Sequence, residues 1–175
     1  MPPRLVPLIR HATTEDAKLL ADLGRRTFRD AFAAENTPED LELYLSQAYG
    51  EEKQLAELRD PSATFFLAFT GPRALGYLKL RSRSAPPCVI GPTPIEIERL
   101  YIDRPFWGRG VADALMDRAN QAARQRGCRT IWLGVWEHNA RAKAFYLRWG
   151  FRDVGSQLFI LGTDPQTDRI LVRQL

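Results

Sequence analysis

The sequence predicts an α/β fold: a mixed, mostly antiparallel sheet of about seven strands, flanked by about four to five helices. Three observations lead there. Short β-branched and aromatic runs alternate with longer amphipathic stretches in the order β-ααα-β-β-β-α-β-α-β-β. Gly71-Pro72 sits between two apolar runs, TFFLAFT and ALGYLKLRS, and reads as the turn of an antiparallel hairpin. From Ile95 to Val135 a strand, a glycine turn, a helix and a further strand follow in series, which makes the sheet mixed.

Taken in order, residues 5–10 form a first strand, with Pro7 implying an edge or irregular pairing. Thr13 and Asp16 resemble a helix cap, and the helix they open runs to about Asp30, with Leu19, Leu20, Leu23 and Phe28 at helical spacings. Asn36-Thr37-Pro38 stops that helix and starts the next, which ends at Gly50. A short third helix covers Glu51 to Arg59. Thr64–Thr70 is a buried strand, ALGYLKLRS its hairpin partner, and 84–94, with four prolines and a glycine, a loop. The helix after the glycine turn carries Val111, Leu115, Ala119 and Ala122 inward and ends at Gly127. Thr130–Val135 is again a buried strand, and Asn139–Trp149 the last helix. Strands near Val154–Leu161 and Arg169–Gln174 close the chain around GTDPQTD.

Length and composition bound the class. At 175 residues the chain is one domain, 1–175, with room for a real core. No apolar run approaches the roughly 20 residues of a membrane span, and MPPRLVPLIR lacks the apolar segment of a signal peptide. Two cysteines make no disulfide framework, so a cytoplasmic protein is expected. Two isolated histidines and two isolated cysteines make no metal cluster. The net charge is +4 but lopsided. Residues 35–60 hold Glu35, Glu39, Asp40, Glu42, Glu51, Glu52, Glu57 and Asp60 against Lys53 and Arg59, whereas 99–129 is rich in arginine. Those arginines are dispersed along a helix without a nucleic-acid motif, so no nucleic-acid partner is expected.

The stretch IEIERLYIDRPFWGRGVA carries the chemistry. Ile95 and Ile97 are apolar on odd positions, Leu100 and Ile102 on even ones, and a strict period of two cannot put both pairs on one face. A one-residue bulge near Glu98–Arg99 restores the face, splays the strand from a neighbour and frees backbone groups for a ligand. Gly108 and Gly110 then let the backbone turn tightly before a helix whose first N–H groups are bare, an arrangement suited to phosphate or pyrophosphate. No Walker loop is present, since no Lys-Ser or Lys-Thr follows. A dinucleotide fingerprint fails too, because Asp113 stands where the third glycine belongs.

With NARAKAFYLRWGF added in the correct order, the chain resembles the GCN5-related N-acetyltransferase (GNAT) family across roughly residues 4–175, most specifically 95–152. Its family loop reads [Q/R]-x-x-G-x-[G/A], and here Trp107 replaces the polar first residue. IEIERLYI, IWLGVWEHNARAKAFY, FRDAFAAENTPEDLELYL and LGTDPQTDRI are similar to bacterial PaiA-type spermidine/spermine N-acetyltransferases. This resemblance implies the GNAT fold, acetyl-coenzyme A as cosubstrate, direct acetyl transfer to an amine, and a homodimer. The acidic 35–60 segment agrees with a polycationic acceptor. Acetylation of protein N-termini or another small amine is the alternative, and a non-catalytic acyl-coenzyme A-binding regulator a further one.

An alkyl amine with a pKa near 10.4 is neutral in only on the order of one molecule in a thousand at pH 7, so a proton acceptor is needed. Glu98, placed by the bulge, is the first candidate, directly or through water, and Glu96 the second. By the resemblance, Tyr146 protonates the leaving thiolate. Backbone groups of Trp107, Gly108, Arg109, Gly110, Val111 and Ala112 are expected to hold the pyrophosphate, with Arg104 and Arg109 side chains in reach. The pantetheine arm pairs along Leu100, Tyr101 and Ile102 and with Asn139, and an N–H near Leu100 holds the oxyanion. Phe28 and Phe32, with Glu96 and Glu98, line the amine channel.

Overall fold

The computed structural model describes residues 3–175. Its strands are β1 (Leu8–His11), β2 (Ala63–Thr70), β3 (Arg73–Arg81), β4 (Pro94–Ile102), β5 (Thr130–Trp136), β6 (Arg152–Leu161) and β7 (Asp164–Gln174). Its helices are α1 (Ala17–Phe32), α2 (Pro38–Ala48), α3 (Glu51–Arg59), α4 (Val111–Gln125) and α5 (Ala140–Arg148). One seven-stranded sheet runs in the order β1-β2-β3-β4-β5-β7-β6. Every neighbouring pair is antiparallel except β4 and β5.

Apolar clusters cover the sheet's two faces. Val111, Leu115, Met116 and Ala119 of α4 and Tyr146 of α5 pack on one side against Phe66, Leu78, Ile97 and Leu133. Leu20, Leu23 and Phe28 of α1 and Leu41 and Leu45 of α2 pack on the other against Phe65, Leu67 and Tyr77. Burying several such side chains at about 1.5–3 kcal/mol each holds the helices to the sheet. Asp16 accepts the Thr13 N–H at 2.8 Å, so the expected cap forms around a short 3-10 turn ahead of α1.

Two strand boundaries differ from expectation. β1 starts after Pro7 rather than at Leu5; the Leu5 N–H instead bonds the Arg109 carbonyl at 2.9 Å, tying this segment to the glycine turn. β7 begins at Asp164, five positions before Arg169, and only Gly162 and Thr163 connect it to β6. The Asp40 carboxylate accepts from the Thr163 N–H at 2.6 Å and hydroxyl at 2.7 Å, a contact from α2 that stabilises the tight turn.

The bulge is present. Lys79 pairs with Arg99 and Leu80 with Ile97, leaving Glu98 as the extra residue. Ile95, Ile97, Leu100 and Ile102 thereby reach one apolar cluster. Beyond the kink the parallel neighbour is lost: β4 and β5 pair only from Pro94–Thr130 to Glu96–Trp132 and then diverge.

Candidate active site

The divergence leaves one edge of β4 open. Asp103 N–H bonds the Leu75 carbonyl at 2.8 Å while Ile102 faces Gly76, so Ile102 is a non-hydrogen-bonded partner of β3. By antiparallel alternation, Tyr101 spends its backbone groups on Tyr77, and Leu100 and Ile102 turn theirs into the gap beside β5. The Leu100 N–H is therefore available to an oxyanion, and Leu100 and Ile102 to an amide-rich ligand. One of these groups is already occupied, since the Trp107 indole Nε1 donates to the Ile102 carbonyl at 2.7 Å.

A cavity of about 390 Å³ lies along this end of β4. β4 contributes Leu100, Tyr101 and Ile102; the turn and helix start contribute Trp107, Gly108, Gly110, Val111 and Ala112; the last helix and its cap contribute Tyr146 and Asn139. Gly108 and Gly110 adopt φ values of 71° and 84°, which side chains resist. α4 begins at Val111, so the Gly110, Val111 and Ala112 N–H groups lack intrahelical acceptors and carry the positive end of the helix dipole. Asn139 Oδ1 accepts the Ala142 N–H at 3.1 Å, capping α5 while its residue lines the cavity. Burial pushes the Tyr146 phenol well above its usual range, so it stays protonated and able to donate.

Arg109 corrects the expected phosphate set. Its N–H bonds the Phe106 carbonyl at 3.3 Å, its Nε donates to Pro3, and its guanidinium lies over Phe106, outside the cavity lining. Trp107 likewise spends its own N–H on Arg104, and Arg104 is absent from the lining. The arginines that do line the cavity are Arg141 and Arg148 of α5, and the Arg141 guanidinium lies 3.4 Å from the Trp107 ring centroid. Burial lowers the pKa of Arg141, the mark of a cation partly withdrawn from water. Their seven-residue spacing, two helical turns, was the available signal.

A second cavity of about 260 Å³ lies against the same stretch of β4. Leu100, Tyr101 and Asn139 line both cavities, so the two meet there. Phe28 and Phe32 stand in its aromatic wall, and Glu96 and Glu98 line it. Both acids are engaged. Glu96 pairs with Arg83, whose Nη2 lies 2.8 Å away. Glu98 pairs with Lys79 and, at 2.8 Å, Arg81. Burial alone would raise the Glu98 carboxyl, but Lys79, Arg99 and Arg81 outweigh it and hold the pKa below its usual value. A carboxylate held ionised by two cations is a weak proton acceptor, which counts against the base role expected of it.

The acidic 35–60 segment does not supply the cavity's carboxylates. Asp40 serves Thr163, Glu42 pairs with Arg25 and Arg29, and Glu57 pairs with Lys79 and Arg99. Sequence reasoning missed Asp168, which lines this cavity from β7. Burial raises its carboxyl to about 6, against a hydrogen bond from Gln157 that lowers it. Asp168 falls inside GTDPQTD, where a turn was expected.

A sheet split open beside a bare helix N-terminus, with a protonated tyrosine in the cleft, is an arrangement suited to a phosphate-bearing ligand. The profile of the acetyltransferase (GNAT) family matches residues 25–151. An uncharacterized N-acetyltransferase of Lactobacillus delbrueckii subsp. lactis is 36% identical over 87% of this chain and 88% of its own length. A spermidine N(1)-acetyltransferase of Thermoplasma acidophilum is 23% identical over 82% of this chain and 87% of its own. Among solved structures, the PaiA N-acetyltransferase of Thermoplasma acidophilum in complex with coenzyme A superposes with a TM-score of 0.81 at 21% identity, covering 98% of this chain and 100% of that one. The chain belongs to the GNAT family. It is an N-acetyltransferase that takes its acetyl group from acetyl-coenzyme A.

Proposed function

We propose that the chain acetylates a primary amine of a polyamine such as spermidine or spermine, by direct attack without an acyl-enzyme, in the cytoplasm. The observation that carries this reading is the meeting of the two cavities at Leu100, Tyr101 and Asn139. A thioester entering from the α4 side and an amine entering from the α1 side converge there, and positioning of that kind contributes several kcal/mol. The Leu100 N–H stabilises the tetrahedral oxyanion. The Tyr146 phenol gives its proton to the departing thiolate. Aromatic walls of Phe28, Phe32 and Tyr44 suit the methylene chain and the positive charge of a polyamine. Support also comes from the likeness to the spermidine N(1)-acetyltransferase.

The test is steady-state turnover of acetyl-coenzyme A against spermidine, peptides with free N-termini, and an amino acid. Spermidine is expected to have the highest kcat/KM, and Tyr146→Phe to lower kcat on the order of a hundredfold while acetyl-coenzyme A affinity holds. Preference for the peptides overturns the polyamine assignment. Unaltered kcat in the tyrosine variant removes Tyr146 as the acid.

A further inference from the structure

We infer that Asp168 is the proton acceptor and cation anchor of the acceptor cavity, and that the cavity takes an aliphatic ammonium free of a neighbouring carboxylate. The inference rests on the acetyl-transfer reading above and adds the residue that receives the amine. Three carboxylates line this cavity: Glu96, Glu98 and Asp168. Glu96 is matched by Arg83, and Glu98 by Lys79 and Arg81. Among the described residues, no cationic side chain comes within ion-pair distance of Asp168. An unmatched carboxylate in a partly dry aromatic cavity lacks one thing, a cation.

The surrounding backbone makes room for that carboxylate. Asp168 pairs across the sheet with Trp136 of β5 and Gln157 of β6, and Gly134 lies two positions before Trp136. A Cβ at Gly134 would stand 3.1 Å from Asp168 Oδ2 and 2.6 Å from Gln157 Nε2. The missing side chain is what lets the carboxylate and the amide sit over the sheet at this point. Around them, Phe28 and Tyr44 stack at 4.6 Å between ring centroids, and Trp136 meets Phe32 edge-on at 6.1 Å.

The proton inventory balances. The bound ammonium gives one proton to the Asp168 carboxylate and becomes a neutral amine. Its nitrogen lone pair forms the C–N bond to the thioester carbon. The C–S bond breaks as the Tyr146 phenol protonates sulfur. The second proton shed by nitrogen restores the phenol, and Asp168 releases its proton to water. The other charged or titratable groups facing this cavity are Glu96, Glu98, Arg99 and Tyr101 of β4, Arg83 of the preceding loop, and Tyr44 and Tyr49 at the end of α2. The acids among them are ion-paired and the tyrosines are raised by burial, so a titration near pH 6 belongs to Asp168.

The experiment is the pH dependence of kcat/KM for spermidine in the wild-type enzyme and in Asp168→Asn and Gln157→Leu, with calorimetric binding of acetyl-coenzyme A in each. Wild type should lose activity below about pH 6. Asp168→Asn should lower kcat/KM at least a hundredfold and abolish that limb, with acetyl-coenzyme A affinity within twofold. Gln157→Leu, which removes the hydrogen bond that lowers the carboxyl, should move the limb to higher pH. A loss under tenfold in Asp168→Asn, or a limb unmoved by Gln157→Leu, overturns the role of Asp168 and leaves the acetyltransferase reading standing. Wild-type enzyme that binds acetyl-coenzyme A and acetylates no amine overturns both.

Discussion

The indole Nε1 of Trp107 donates to the backbone carbonyl of Ile102 at 2.7 Å. That bond ties the entrance of the glycine turn to the end of β4 and sets the distance between helix N-terminus and open strand edge. The same ring carries the Arg141 guanidinium on its face.

Replacing Trp107 with Phe keeps a ring for Arg141 and leaves the Ile102 carbonyl without its donor. An unmade bond of this kind costs about 1 kcal/mol, so acetyl-coenzyme A should bind roughly fivefold more weakly. Titration calorimetry measures it, and an unchanged Kd would show the turn is held by other contacts.

Glu98 is expected to matter more for stability than for proton transfer. Lys79 is 2% exposed and has two carboxylate partners, Glu98 and Glu57. Glu98→Gln leaves that buried ammonium half-compensated and should cost about 1–3 kcal/mol at pH 7. Because the folded-state pKa lies below the unfolded one, this contribution is complete above pH 4.5 and lost as pH falls. The difference in unfolding free energy between wild type and variant should accordingly shrink in acid, as denaturant titrations at pH 7 and pH 3.5 can establish.

Asp168 has the opposite sign. Its carboxyl is raised from 3.8 to about 6, so the folded protein holds the proton more tightly than the unfolded chain does. The stability this provides is complete below pH 3.8 and disappears as pH rises through about 6. Asp168→Asn, which carries no charge at any pH, should raise the unfolding free energy at pH 7.5 relative to wild type by about 1–3 kcal/mol, and by almost nothing at pH 4. Equal stability of the two proteins at pH 7.5 would mean the carboxylate is well solvated.

The sequence alone determined the elements whose causes are local. The broken alternation of IEIERLYI announced a bulge because side-chain direction repeats every two residues, and no partner strand is needed to see the phase change. Gly108 and Gly110 ahead of an amphipathic helix announced a bare helix N-terminus because conformation and dipole both belong to that one segment. Phe28 and Tyr146 could likewise be read from helical spacing and motif.

Charges were decided by the tertiary structure. Glu98 looked free in the chain, and Lys79 and Arg81 of the neighbouring strand bind it. Arg109 looked aimed at a phosphate, and Phe106 and Pro3 hold it aside, while Arg141 and Arg148 reach the cavity from a helix thirty-odd residues on. Asp168 seemed a turn residue until β7 lengthened to place it beside Gln157 and over Gly134. Hydrophobic periodicity and backbone freedom act along the chain, whereas a charge is governed by whatever lies within a few ångströms of it, and only folding chooses those neighbours.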